Sequence, residues 1–137
     1  MGPNAAPNMR TDSAKKGRDN VQACIDSCLR GQRECIMTLT YLRDMGGAHI
    51  DPVRIRSLLD CADVCQAAAT FMMRGSHRHI EMCAVAARIS RDCADACDGT
   101  NGQQLRKCVE ACRTCEATCR ELINAQPERP VERSEAA

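Results

Sequence analysis

Four stretches of the chain alternate polar and apolar side chains with the period of an α-helix, and short segments rich in Gly, Pro and Asn separate them. The stretches are dense in Ala, Leu, Arg, Glu, Gln and Met, which favour helices. The first predicted helix begins near Asp19 or Asn20 and continues to the glycine pair at 46–47. For the second helix we predict Asp51 as N-cap and Pro52 at the first position, with its end at residue 75.

The third and fourth helices are bounded by capping residues and turns. Ser76 is the predicted cap of the third helix, which continues to about Asp98. Thr100 with Gln103 fits a capping box that opens the fourth helix, which ends near Asn124. Four helices with short connections predict an all-α fold, an antiparallel four-helix bundle.

The two ends of the chain lack this periodicity. Residues 1–18 and 125–137 contain prolines and charged residues, so we expect disordered tails there. A length of 137 residues suits one domain, which we place at residues 19–124.

Twelve cysteines recur along the predicted helices, mostly four residues apart. They are Cys24, Cys28, Cys35, Cys61, Cys65, Cys83, Cys93, Cys97, Cys108, Cys112, Cys115 and Cys119. They form five Cys-x-x-x-Cys pairs, at least one on each helix. On the fourth helix they fall in a stripe about 60° wide, opposite charged residues such as Arg106 and Glu110. The thiols are therefore expected to line the core of the bundle.

Composition and charge support this placement. Leu, Ile, Val and Phe together number only 21 residues, and a reduced cysteine packs as a small hydrophobe, so the cysteines are needed to complete the core. The 19 basic and 18 acidic residues are interspersed and give a net charge of +1. We therefore expect neither nucleic acid nor an anionic membrane as a partner.

The N-terminal region indicates the compartment. Residues 1–20 are polar and lack the apolar run of a signal peptide, and no segment resembles a membrane helix. We expect a cytoplasmic protein, although a chain from which a leader had been removed would show the same pattern. In the reducing cytosol, clustered cysteines are expected to bind metal rather than to form a disulfide scaffold.

Other interpretations of the cysteines are weaker. Core filling alone does not explain twelve thiols on inward stripes. Cysteines four apart on a helix have near-parallel Cβ vectors, which disfavours a disulfide within one helix, whereas disulfides between helices stay open. Cys112-x-x-Cys115 lacks the βαβ context of a redox motif. Zinc or an iron–sulfur cluster needs four thiolates around one centre, which two facing pairs from different helices can still supply.

Charge balance favours Cu(I). A zinc ion with four thiolates leaves two negative charges in a dry core, whereas one Cu(I) per thiolate leaves none. Cu(I) is also soft and accepts thiolate and thioether ligands. We therefore predict multiple Cu(I) ions per chain as the cofactor, on the order of a dozen if each thiolate holds about one.

The repeated Cys-x-x-x-Cys pairs on four helices, the near absence of aromatic residues and the leaderless N-terminus resemble the bacterial cytosolic four-helix-bundle copper-storage proteins. This resemblance implies storage or sequestration of Cu(I) without catalysis, and a homo-oligomer, typically a tetramer. The inward positions Gly31, Leu39, Ala68 and Ser90 carry no sulfur, so the expected capacity is below that of the richest members.

Methionine and histidine converge at one end of the predicted bundle. Met72 and His79 project toward the axis, near Cys65 and Cys83, and are the predicted entry ligands. Met73, Met82 and His77 lie at the same end, with His77 on the solvated face. At the other end, an apolar plug of Leu39, Leu42 and Leu58 is expected, and Met45 and His49 there are not assigned to metal.

Two further functions were weighed against storage. A zinc buffer similar to metallothionein is the alternative. An enzyme is not expected, because the sequence offers no Ser/His/Asp set, carboxylate pair or phosphate loop. A copper chaperone is the candidate partner that would donate or accept the copper.

Overall fold

Four helices account for almost all of the folded chain. The structure is a computed structural model that describes residues 9–126. Its α-helices are α1 (Met9–Met45), α2 (Pro52–Met73), α3 (His79–Cys97) and α4 (Gln103–Asn124), and a short 3-10 helix at Gly47–His49 follows α1. The helices α1 and α3 each pack against both α2 and α4. Within residues 9–126 there is no strand, and the predicted all-α bundle is confirmed.

The start of α1 differs from the prediction. The helix begins at Met9, so residues 9–18 are helical rather than part of a disordered tail. No proline interrupts the chain between Pro7 and Pro52, Ala and Lys at 14–16 favour a helix, and Asp12 lies in the first turn, where the helix dipole favours an acidic group. Residues 1–8 and 127–137, the remainder of the two predicted tails, lie outside the described residues.

The start of α2 follows the predicted capping chemistry. The Asp51 carboxylate accepts a hydrogen bond from the Val53 backbone N–H at 2.9 Å, and Pro52 takes the first helical position. Proline costs nothing there because its missing N–H would have no partner inside the helix.

The predicted cap of α3 is wrong. The helix begins at His79, and Ser76 lies in the preceding turn. The Ser76 hydroxyl accepts a hydrogen bond from the Arg78 backbone N–H at 3.1 Å, so it closes that turn instead of capping the helix.

The predicted capping box of α4 is also wrong. Gly102, with a φ of 130°, is the residue before the helix, and it leaves Thr100 outside. A Cβ at position 102 would lie 3.1 Å from the Tyr41 hydroxyl oxygen, so glycine lets the chain turn beside Tyr41 before α4 begins.

The core changes in composition along the bundle axis. All twelve cysteines are buried, with at most 1% of their surface exposed. At the end where α1 ends and α2 begins, Leu42, Leu58 and Leu105 are fully buried, and Leu39 is half-buried. The predicted plug is therefore present, and Leu105 of α4 completes it. None of the helices within residues 9–126 combines the length and apolar character needed to span a membrane.

Candidate metal centre

The cysteine sulfurs form a column along the bundle axis. Ten of them make an unbroken path in which neighbouring Sγ atoms are 3.4 to 4.0 Å apart. The path runs through Cys24, Cys119, Cys28, Cys115, Cys65, Cys61, Cys112 and Cys35, and from Cys35 to both Cys93 and Cys108. The helices α1, α2 and α4 each contribute more than one cysteine to the path, and α3 contributes Cys93. The column is therefore built by all four helices. This thiol column is the candidate metal centre.

Two groups within the thiol column are dense enough to surround a metal ion. The sulfurs of Cys35, Cys93, Cys108 and Cys112 all lie within 4.8 Å of one another. Those of Cys24, Cys28 and Cys119 do the same. Below we call the first set the deep group and the second the outer group.

The outer end carries the methionine and histidine that the sequence singled out. The Cys83 thiol donates a hydrogen bond to the Met72 Sδ at 3.6 Å, and Met72 is buried. His79, one turn before Cys83, is half-buried, and its Nδ1 donates to the Ser76 carbonyl oxygen at 2.7 Å. Since a carbonyl only accepts, the lone pair of this imidazole is on Nε2, which suits a metal ligand.

The other methionines and the other histidine at that end differ in how far they are exposed to solvent. Met82 is partly buried against the core, whereas Met73 and His77 are exposed, as expected for His77. At the plugged end Met45 is exposed and His49 is half-buried.

Three of the four inward positions without sulfur are buried in the thiol column. Gly31, Ala68 and Ser90 are buried, and Leu39 is half-buried. The Ser90 hydroxyl lies 3.7 Å from the sulfurs of both Cys61 and Cys65.

Hydrogen bonds between the thiols, together with burial, raise the pKa of most of the thiols. The hydrogen bond with Cys108, together with burial, raises the pKa of Cys97 to about 12. For Cys83, the hydrogen bond with Cys119 lowers the pKa, but Cys24 and burial outweigh it and raise the pKa to about 12. Hydrogen bonds from Cys119 and other neighbours lower the pKa of Cys24. Without metal, the column therefore holds most of its thiols neutral.

Residues 9–126 supply no buried cationic side chain to balance thiolates in the column. Of the side chains that the structure describes, the buried polar ones are Glu34, Thr38 and Ser90. An ionised column in this core therefore needs charge from a bound cation, because an uncompensated buried anion is costly.

The sequence of residues 10–124 matches the family described as copper storage protein (Csp). The chain belongs to the copper storage protein family. The predicted resemblance is thereby confirmed, and copper storage is the function of the family. The alternative of a zinc buffer is not favoured.

Two proteins are similar to this chain over most of its length. An uncharacterised cysteine-rich protein of Bacillus subtilis, YhjQ, is 30% identical over 101 residues, which are 74% of this chain and 94% of that one. Among solved structures, the Nmul_A1745 protein of Nitrosospira multiformis is 33% identical with a TM-score of 0.75, covering 80% of this chain and 99% of that chain.

Two similar structures contain copper. The Cu(I)-bound copper storage protein BsCsp3 is 29% identical with a TM-score of 0.73, covering 76% of this chain and 98% of that chain. A cytosolic copper storage protein from Streptomyces lividans, with five coppers, is 28% identical with a TM-score of 0.72, covering 80% of this chain and 97% of that chain.

In this copper storage protein, one polar cluster beside the thiol column was not predicted. Gln104 Nε2 of α4 donates to Glu34 Oε1 at 3.1 Å and to Thr38 Oγ1 at 3.2 Å, and Thr38 donates to the Glu34 carbonyl at 2.7 Å. The cluster joins α1 to α4 next to Cys35 and Cys108. The spacing of Glu34 and Thr38, four apart beside the cysteine stripe, is the signal in the sequence that could have indicated it.

Proposed function

We propose that this protein stores Cu(I) in the cytosol on the thiolates of its column, at about one ion per cysteine, and that it catalyses no reaction. One observation carries the proposal, the unbroken path of ten buried thiols between 3.4 and 4.0 Å apart. The proposed ligands are the twelve cysteines, with Met72 and His79 at the outer end.

The spacing of the sulfurs suits a metal shared between neighbours. With a metal–thiolate bond of roughly 2.3 Å, three thiolates around one ion stand about 4.0 Å apart. The sulfurs in the column are already at 3.4 to 4.0 Å, so small side-chain movements are enough to admit ions. A closed zinc site would use four thiolates for each ion and would leave the column negatively charged.

Similar proteins support a capacity of many ions. BsCsp3 is described with Cu(I) bound, and the protein from Streptomyces lividans has been loaded with five coppers and with 10 copper equivalents. The latter protein is described as cytosolic, which supports the proposed compartment. The cytosol keeps thiols reduced and therefore available to copper.

We also propose that copper enters at Met72 and His79. The Met72 thioether contacts the Cys83 thiol, so a soft, weaker ligand precedes the first thiolates. His79 already donates Nδ1–H to a backbone carbonyl, which orients Nε2 as an acceptor for metal. The plugged end offers three buried leucines at the corresponding place.

The proposed assembly is a homo-oligomer, a tetramer by resemblance, with a copper chaperone as donor or acceptor. Large apolar side chains on the outer faces support packing between bundles. They are Leu29, Ile36 and Met37 on α1, Leu59 on α2 and Val85 on α3, each between 39% and 49% exposed.

A Cu(I) titration tests the storage function. Reduced protein is titrated with Cu(I) without oxygen, in the presence of a competing chelator, with zinc run in parallel. We expect saturation near one Cu(I) per cysteine and much weaker zinc binding. Saturation at three or four ions, or tighter binding of zinc than of Cu(I), would contradict storage.

A matched pair of variants on α4 shows whether the column holds the metal. Cys112→Ser removes a sulfur of the deep group and is expected to lower the Cu(I) count by about one. Thr114→Ser changes an exposed side chain on the same helix and should leave the count unchanged. Equal counts in both variants would place the copper elsewhere.

A further inference from the structure

The thiol column is thinnest at one level between its two ends. There, Cys65 of α2 and Cys115 of α4 face each other with their sulfurs 3.7 Å apart. The other two helices place Gly31 and Ser90 at this level, both buried and both without sulfur. We call these four residues the waist.

The waist joins two parts of the column. On one side the path contains the outer group and Cys115, and on the other side it contains Cys65, Cys61 and the deep group. Among the thiol pairs within residues 9–126 whose sulfurs lie no more than 4.0 Å apart, the pair of Cys65 and Cys115 connects these parts. Copper that moves along the column by exchange between touching sulfurs therefore crosses at this pair.

A copper ion at this crossing differs in geometry from its neighbours. Two thiolates hold an ion in a near-linear arrangement, which places the sulfurs roughly 4.6 Å apart for metal–thiolate bonds of about 2.3 Å. The Cys65 and Cys115 sulfurs, at 3.7 Å, must therefore move apart by roughly 0.9 Å. The sulfurs of the outer and deep groups do not need a movement of this size, because three ligands fit at about 4.0 Å.

Gly31 provides the space for this movement. A Cβ at position 31 would lie 3.3 Å from the Cys65 Sγ, and 3.8 and 3.9 Å from the Cβ and Sγ of Cys115. The contact with the Cys65 sulfur is tight before the sulfurs have moved. Since Gly31 is in the middle of α1, where glycine weakens a helix, its place is explained by the room it leaves in the waist.

Ser90 fills the fourth corner of the waist with a hydroxyl. This oxygen lies 3.7 Å from the Cys61 and Cys65 sulfurs and is buried. A hydroxyl can donate to a thiolate, but oxygen is a poor ligand for a soft ion such as Cu(I). Ser90 therefore steadies the Cys65 sulfur of the crossing without adding a third strong ligand.

We propose that the waist is a two-coordinate passage site through which Cu(I) moves between two thiol groups that fill as separate units, and that Gly31 and Ser90 set this division. The inference rests on the proposed storage of Cu(I). An ion that moves from the outer group into the waist breaks its S–Cu bonds to two outer-group sulfurs, forms two S–Cu bonds to Cys65 and Cys115, and displaces their two thiol protons, which the vacated outer-group thiolates take up. No electron is transferred.

The first test compares two glycines of the same helix. Gly31→Ala adds a methyl group at the waist, and Gly17→Ala adds one where nothing lies within 4 Å. Loading with a Cu(I)–chelator complex is followed by the Cu(I)–thiolate luminescence. We expect two phases in the wild type and in Gly17→Ala, and a second phase slowed by at least roughly tenfold in Gly31→Ala, because overpacking opposes the separation of the sulfurs. Equal rates in the two variants would overturn the proposal.

The second test changes the ligand at the fourth corner. Ser90→Cys should raise the Cu(I) count by about one and merge the two phases, because the waist gains a third thiol. Ser90→Ala, which removes the hydroxyl without adding sulfur, should keep the count and the two phases. Two separate phases in Ser90→Cys would overturn the division even if Gly31→Ala did not fold.

These outcomes are distinct from failure of storage itself. A wild-type protein that binds only three or four ions contradicts the storage function. A wild-type protein that binds about a dozen, with one loading phase or with loading that ignores Gly31 and Ser90, retains storage and overturns the waist.

Discussion

At one end of the thiol column, Met72 places its Sδ 3.6 Å from the Cys83 sulfur, and at the other end Leu42, Leu58 and Leu105 are fully buried. A thioether binds and releases a soft metal ion, whereas an aliphatic side chain offers no ligand. The two ends of the same bundle therefore do different things. We propose that the first supplies a path for copper, whereas the second contributes packing.

In contrast to the residues around them, the cysteines at the two ends have similar pKa values. Cys83 near Met72 and Cys97 near the leucines both have a pKa raised to about 12. Both sulfurs are buried, and neighbouring thiols of the column act on the pKa of each. The asymmetry of the ends thus lies in the residues that surround the cysteines, not in the cysteines.

The largest expected effect concerns pH and treats both ends alike. Because the pKa of Cys83 and of Cys97 rises from the ordinary 9.0 to about 12, each favours the folded apo protein fully below pH 9 and loses this contribution as the pH rises to 12. Three pKa units correspond to at most about 4 kcal/mol for each thiol.

Urea unfolding of the apo protein in reductant, between pH 8 and pH 11, measures this loss. Copper-loaded protein should lose much less, because its thiol protons have already left. Cys83→Ala and Cys97→Ala should each flatten the apo profile by a similar amount. Parallel pH profiles for the apo and loaded forms would contradict the shifted thiols, and a change in only one variant would show that the ends differ after all.

The next effect tests the packing of the plugged end. Leu58 is fully buried, whereas Leu59 beside it is 49% exposed. Leu58→Ala should lower the free energy of unfolding by roughly 2–5 kcal/mol, and Leu59→Ala by less than about 0.5 kcal/mol. Denaturant unfolding of the two apo variants measures both. Equal losses would mean that the leucines do not form a plug.

The smallest effect is kinetic and tests the entry of copper. Met72→Ala with His79→Ala should leave the final Cu(I) count nearly unchanged, because the thiolates hold most of the metal, but change the rate of loading or of removal by a small chelator several-fold. Met45→Ala with His49→Ala at the plugged end should change neither. Met72→Leu with His79→Ala keeps the apolar volume of Met72 and removes its sulfur, so it separates lost ligation from lost packing. If the variants of the two ends exchange copper at indistinguishable rates, copper does not enter preferentially at the end that carries Met72 and His79.

The sequence predicts the faces of the helices better than the contacts between them. A repeat of four, three and four residues places Cys108, Cys112, Cys115 and Cys119 on one stripe of α4, and all of them are buried. The same repeat does not determine how far one helix slides along another. The pairing of Cys65 with Cys115, and hence the waist, depends on that register and emerges only from the structure.

The sequence predicts the start of a helix correctly where a local side chain caps it. It does not do so where contacts with a distant helix determine the start. Asp51 caps α2 through its own carboxylate. The start of α4 depends on the Tyr41 side chain of a distant helix, which a local capping pattern does not contain. The early start of α1 differs from the prediction because charged residues without apolar periodicity are typical of a tail, whereas the helix propensity of these residues favours a helix.

The central claim, that copper occupies the thiol column, is tested most directly by diffraction from crystals of the fully loaded protein on both sides of the copper absorption edge. The account predicts about a dozen anomalous peaks per chain, in a line between Cys83 and Cys97, each within bonding distance of cysteine sulfur. Peaks confined to one or two tetrahedral four-cysteine sites, or lying on the outer faces of the bundle, would contradict it.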